Sequence, residues 1–127
     1  AIAYALANEN LKKLTFINRD INKANNLKSN INKIYSNLHI QVLSNSNYEL
    51  DDFDLVINAT SLGLKNNDKL PFDVNKTRLD CIIADIIMNP SDTELLKQAK
   101  YMGRTIHYGK YMIESQIELV GNFLNIW

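Results

Sequence analysis

The sequence predicts an α/β fold with a parallel, doubly wound sheet, and three observations carry that expectation. Short apolar runs at 14–17, 40–43, 55–58 and 81–87, with a final short strand at 104–107, alternate with segments whose apolar residues recur at helical spacing. The runs at 55–58 and 81–87 are apolar on both faces, as a central parallel strand must be. Three of the runs end in polar or small residues: Asn18, Arg19 and Asp20, then 58–63 (N-A-T-S-L-G), then 85–90 (D-I-I-M-N-P). Strands alternating with helices in this way imply right-handed crossovers that place helices on both faces of the sheet.

The elements follow in order. Residues 1–7, A-I-A-Y-A-L-A, are helix formers, and N-E-N after them is a stop. A helix without a cap predicts that its beginning lies upstream, together with a first strand and a Gly-rich turn. No G-x-G-x-x-G occurs in the chain, so residues 1–127 are expected to be one domain truncated at its N-terminus. After the strand at 14–17, a helix is expected from Asp20 or Ile21 to Tyr35, with Asp20 as N-cap and Ile21, Ala24, Leu27, Ile31 and Ile34 on its apolar side. The Asn, Lys and Ile bias over 22–47 is therefore spread across a helix and a strand. A strand at 40–43, a polar loop and the acidic stretch 49–54 lead to the strands at 55–58 and 81–87. Residues 93–102 form an amphipathic helix closed by Gly103. A strand at 104–107 and a long helix from Tyr111 to Trp127 complete the chain.

Composition excludes several classes of function. A chain of 127 residues can bury one real core, and 46% apolar with 22% charged residues is ordinary for a globular domain. Lys and Arg number 14 and so do Asp and Glu, which gives no basic field for nucleic acid or for an anionic membrane. No apolar run approaches the roughly 20 residues that span a bilayer. Residues 1–127 show no secretory signal pattern, Ala1 reading as an interior position rather than a start, and no interface signature indicates an oligomeric state. Cys81, the single cysteine, lies in an apolar run with no His or basic residue adjoining it, so it is expected to be a buried hydrophobe in a reducing cytoplasm. One Cys with His39 and His107 far apart makes no metal site, and both histidines are expected to be packed or hydrogen-bonded beside strands.

Parallel sheets bind ligands at the carboxyl ends of their strands. At the end of the strand 14–17, a carboxylate would grip a free ribose hydroxyl, but Asn18 stands there with Arg19 next to it. A guanidinium matches a phosphate in planar, bidentate fashion, so Arg19 suits the 2'-phosphate of NADP. Arg19 and Lys23 at a helix start work against the helix dipole, which favours an anion site over a solvated turn. Lys65, Asp68 and Lys69 fall in a polar loop and are expected to be solvated charges.

Three stretches, V-I-N-A-T-S-L-G, A-D-I-I-M-N-P followed by T-E-L-L, and G-K-Y-M-I-E-S-Q, resemble the C-terminal NADP-binding domain of shikimate dehydrogenases, at matching spacings over essentially the whole chain. The resemblance implies a Rossmann-type fold and the cofactor-binding half of an enzyme that reduces 3-dehydroshikimate to shikimate with NADPH. It implies that Asn18, Arg19 and Lys23 surround the 2'-phosphate. Asp20 stands where the family has Thr or Ser, and its carboxylate would repel the phosphate and relax preference toward NAD. Ala59, Thr60 and Ser61 match the turn near the nicotinamide ribose, Ile86 and Gly109 the backbone contacts at the nicotinamide end, and Met112 the residue packed on that ring. Gln116, one helical turn beyond Met112, matches a glutamine that bonds substrate hydroxyls.

Met88 departs from the family's Tyr in D-x-x-Y and cannot donate a hydrogen bond, which points to the shikimate dehydrogenase-like subgroup with quinate or another polyol as substrate. The family's catalytic Lys and Asp pair belongs to a separate N-terminal substrate domain and has no match here, so the fragment alone is expected to be inactive. A non-catalytic Rossmann module that only binds a dinucleotide would share the strand-end residues.

Overall fold

The computed structural model describes residues 1–46 and 48–126, and the chain divides into two units, Ala1–Tyr48 and Glu49–Trp127. All strand pairs in both units are parallel.

In the first unit, α1 (Ile2–Ala7) stops at Asn8 and leads to β1 (Lys13–Ile17). The helix α2 (Ile21–Asn32) then crosses to β2 (His39–Leu43), which pairs with β1 in register from Lys13 opposite His39 to Ile17 opposite Leu43. Ala24 and Ile31, two turns apart on α2, are buried, and Ile31 packs with Ala7 and Ile40 against Tyr4, Leu14, Phe16 and Leu27. Two expectations for α2 need correction. Ile21 and Ile34 are exposed, and the helix ends at Asn32 with Lys33 as its cap rather than at Tyr35. The chain tightens there, with the Ile34 and Tyr35 amides both donating to the Ile31 carbonyl, and the Tyr35 hydroxyl reaches Asn8 Oδ1 at 3.2 Å.

The second unit holds β3 (Leu55–Asn58), β4 (Ile82–Asp85) and β5 (Thr105–His107), in that order across one sheet. The helix α3 (Glu94–Tyr101) links β4 to β5 and buries Leu95, Leu96 and Ala99 against Val74, Cys81 and Ile83. β3 is less buried than its apolar sequence implies: Leu55 is exposed, and among the described residues its one strand neighbour is β4. β4 is shorter than the apolar run 81–87, because the Cys81 amide turns back to the Arg78 carbonyl and the Asp85 carboxylate takes the Ile87 amide.

α3 closes as a glycine at its end dictates. Gly103 has φ +80, and the Gly103 and Arg104 amides bond the Lys100 and Ala99 carbonyls, which satisfies the last turn. Arg104 then reaches across to the 3-10 turn Val74–Lys76, where its guanidinium donates to the carbonyls of Thr77 (2.7 Å) and Val74 (3.3 Å) and to Thr77 Oγ1 (3.2 Å). The last helix, α4 (Lys110–Leu124), ends at Asn125 in the left-handed conformation, one turn before the expected end at Trp127, which lies outside the described residues.

Candidate functional site

In the first unit, the end of β1 is shaped by side chains acting on their own backbone. Asn18 Oδ1 accepts from the Asp20 amide at 2.9 Å, an Asx turn that swings the chain out of the strand with Arg19 exposed at its apex. Asp20 caps α2, its Oδ1 accepting from the Lys23 amide at 3.1 Å. The Lys23 ammonium stands 3.9 Å from Asp20 Oδ2, a solvent-exposed pair that contributes little to stability. The carboxylate expected to oppose an anion is thus bound to the helix start and has a cation beside it. Thr or Ser at this position would cap the helix in the same way.

In the second unit, the ends of β3 and β4 are joined by two buried polar side chains, Asn58 and Asp85, each 2% exposed. Asn58 Nδ2 donates to the Leu62 carbonyl at 2.9 Å and to Asp85 Oδ1 at 3.2 Å, while its Oδ1 accepts from the amide and the hydroxyl of Thr60 at 3.1 and 2.7 Å. All four hydrogen-bonding positions of the carboxamide are used, so its orientation is determined. The turn 59–62 winds around this group. Thr60 Oγ1 also accepts from the Leu62 amide, which absorbs the hydroxyl in the turn, and Ala59 and Ser61 are exposed on it.

Asp85 accepts from the Ile87 amide at 3.1 Å and from Thr93 Oγ1 at 2.8 Å. Thr93 in turn caps α3, accepting from the Leu96 amide at 3.4 Å. Asn58, Asp85 and Thr93 were not singled out as site residues. Their signal was present, a lone polar residue at the last position of an apolar strand and a Thr before a helix, but the pairing spans 27 residues and is invisible to local pattern.

Ile86 and Gly109 are brought together. A Cβ on Gly109 would lie 2.5 Å from both the carbonyl carbon and the oxygen of Ile86, and 2.7 Å from the Ile87 oxygen, so only glycine allows α4 to start there. The Asp92 carboxylate in the loop after β4 raises the pKa of the Tyr108 hydroxyl. Met112 is half-buried on the first turn of α4, its amide bonded to the Gly109 carbonyl, and Gln116 is exposed one turn on. Met88 is 45% exposed. Both histidines, expected to be packed or hydrogen-bonded, are exposed: His39 at the start of β2 and His107 at the end of β5, where it meets the Tyr111 ring edge-on at 5.1 Å.

Asp68 is a correction. It is half-buried rather than freely solvated, because its Oδ2 accepts from the amides of Gly63 and Lys65, both at 3.0 Å; these bonds hold its carboxyl below the usual range. It thereby fixes Gly63 at φ +106. Lys65 and Lys69 remain exposed and, with Lys97, Asp68, Asp92 and Glu94, line an open cleft of about 400 Å³ whose charges balance. Cys81 is fully buried, and desolvation pushes its thiol up, which leaves it an inert packing group. Among the described residues no helix is long and apolar enough to cross a membrane, and no group of three His, Cys, Asp or Glu could hold a metal ion.

No protein-family model matches the chain. It is 35% identical over 104 residues to the shikimate dehydrogenase (NADP(+)) of Staphylococcus haemolyticus, covering 82% of this chain and 36% of that protein. It is 33% identical over 116 residues to the enzyme of the same name from Nitrosopumilus maritimus, covering 91% of this chain and 42% of that protein. Among solved structures, the quinate dehydrogenase from Corynebacterium glutamicum in complex with NAD superposes with a TM-score of 0.81 at 29% identity, over 88% of this chain and 40% of that one. The chain thus spans about two fifths of the length of these proteins. Over that part, in both sequence and α/β fold, it is similar to shikimate and quinate dehydrogenases.

Proposed function

We propose that the chain is the cofactor-binding half, over residues 1–127, of an NADP-dependent dehydrogenase acting on a CH–OH group, which reduces 3-dehydroshikimate to shikimate in aromatic amino-acid biosynthesis. The observation that supports it most is the joining of the β3 and β4 ends through Asn58 and Asp85, with Gly109 seated on the Ile86 carbonyl. Gly109 lets the start of α4 seat directly on the backbone of 86 and 87, which sets the segment that would meet the nicotinamide ring. When bound, the cofactor supplies the hydride. The chain's own residues would hold it: Asn18, Arg19 and Lys23 at the 2'-phosphate; Ala59, Thr60 and Ser61 at the nicotinamide ribose; Ile86, Gly109 and Met112 at the ring. Met88 and Gln116 would face the substrate, a small polyol or keto acid. The catalytic Lys and Asp pair would come from a substrate domain outside this chain, and a lone buried thiol suits a cytoplasmic setting.

A charge-assisted hydrogen bond contributes about 1.5 to 3 kcal/mol, so Arg19 alone can set NADP over NAD by about tenfold or more. Calorimetric titration is expected to show NADPH bound more tightly than NADH, with Arg19→Ala reducing the difference to little. Equal affinities in the unaltered protein would sink the 2'-phosphate assignment. Binding without turnover in the whole protein would favour a non-catalytic module.

Met88 supports a second substrate, quinate or another polyol, since a thioether cannot donate a hydrogen bond to a hydroxyl, and a quinate dehydrogenase is among the similar structures. Parallel assays on shikimate and quinate, with Met88→Tyr alongside, separate the two. Met88→Tyr is expected to shift kcat/KM toward shikimate by about tenfold or more. An unchanged ratio would show that position 88 does not choose the substrate.

A further inference from the structure

We propose that Asp85 is the positioning residue for the nicotinamide end of this site, an inference that rests on the nucleotide assignment above. Its carboxylate meets three separate segments. Oδ1 accepts from Asn58 Nδ2 in the β3 turn and from the Ile87 amide in the loop after β4, and Oδ2 accepts from Thr93 Oγ1 at the start of α3. Two of the three donors, Thr93 and Asn58, are oriented by further bonds. Thr93 Oγ1 already accepts from the Leu96 amide, so its proton is directed at Asp85. Asn58 must present its amide nitrogen to Asp85, and that leaves its oxygen to hold both the amide and the hydroxyl of Thr60.

Asp85 thus selects which way the Asn58 carboxamide faces, and the carboxamide sets the backbone of 59–62. The same carboxylate fixes the Ile87 amide, next to the Ile86 carbonyl on which Gly109 rests. Both strand-end segments assigned to the nicotinamide side are therefore held in one frame by a side chain that is 2% exposed. A strand end needing only stability is served as well by an apolar residue, since a buried carboxylate must first recover its desolvation cost. The turn after β1 is shaped separately, by Asn18 and Asp20 acting on their own backbone.

That separation provides the test. Asp85→Asn keeps the shape but sets an NH2 group against one of three donors. Thr93→Val removes the hydroxyl at nearly constant size, and Thr93→Ser restores it. Each variant of the full chain is titrated with NADPH and with adenosine 2',5'-bisphosphate, which carries the 2'-phosphate end and lacks nicotinamide, at temperatures well below its measured Tm. Asp85→Asn and Thr93→Val are expected to lose about tenfold in NADPH affinity, to keep the bisphosphate within about twofold, and Thr93→Ser to recover NADPH binding. Loss of both ligands in equal measure, or unchanged NADPH affinity, would overturn the positioning role and leave Asp85 a structural residue. Failure of the unaltered protein to bind either ligand would overturn the nucleotide assignment, and the inference with it. Thr93→Val decides the matter if Asp85→Asn does not fold.

Discussion

Gly109 is where a single atom decides the architecture of the second unit. Its φ of −62 is open to any residue, so the need for glycine comes from space alone. An alanine methyl would meet the Ile86 carbonyl at 2.5 Å, and backbone on both sides leaves no flexible side chain to give way. Gly109→Ala is expected to cost about 1 to 3 kcal/mol in urea unfolding, as overpacking does, and to weaken NADPH binding beyond that loss by moving α4 off the Ile86 carbonyl. Unchanged stability would mean that the segment 107–110 shifts freely. Gly109 was legible in the sequence only through the motif that ends in Gln116. Its physical reason was not, because the clash is with residues more than twenty positions away. Asn58 and Asp85 were hidden for the same cause: a polar residue closing a strand reads as a loop entry until its partner is seen.

The start of α2 shows how an element can carry two demands at once. Asp20 caps the helix through the Lys23 amide, a role that local sequence made legible, and its charge sits where an anion is proposed to bind. Thr keeps the capping oxygen and removes the charge. Asp20→Thr is therefore expected to leave the thermal midpoint nearly unchanged and to raise NADPH affinity severalfold, with NADH affinity unaltered; calorimetry and a melting curve together check it. A gain for both cofactors would assign the effect to the helix rather than to the phosphate. Caps and glycine stops were the most readable features of this chain, as at Asp20 and Gly103, because they act within a few residues. Element ends set by tertiary bonds were not. β4 stops at Asp85 because of a carboxylate that captures the Ile87 amide, and α2 stops at Asn32 although Ile34 and Tyr35 continue the apolar spacing.

At the scale of the whole molecule, charge balance and α4 act together. The chain carries no net charge at pH 7, with 14 basic and 14 acidic residues. Among the described residues, α4 buries only Gly121, while Ile117, Val120 and Leu124 are more than half exposed and Phe123 is 83% exposed. An apolar helix face read from sequence alone passes for a core stripe, since periodicity reports amphipathicity and not whether a partner is present. A neutral protein lacks the repulsion that keeps copies apart, and contiguous apolar surface supplies the attraction. The 127-residue chain by itself is expected to self-associate at pH 7, which light scattering checks. Ile117→Lys with Phe123→Lys should suppress that association at pH 7 while the circular dichroism of the fold is preserved, because neither side chain is part of a buried cluster. Scattering unaffected by these substitutions would place the associating surface elsewhere than on α4.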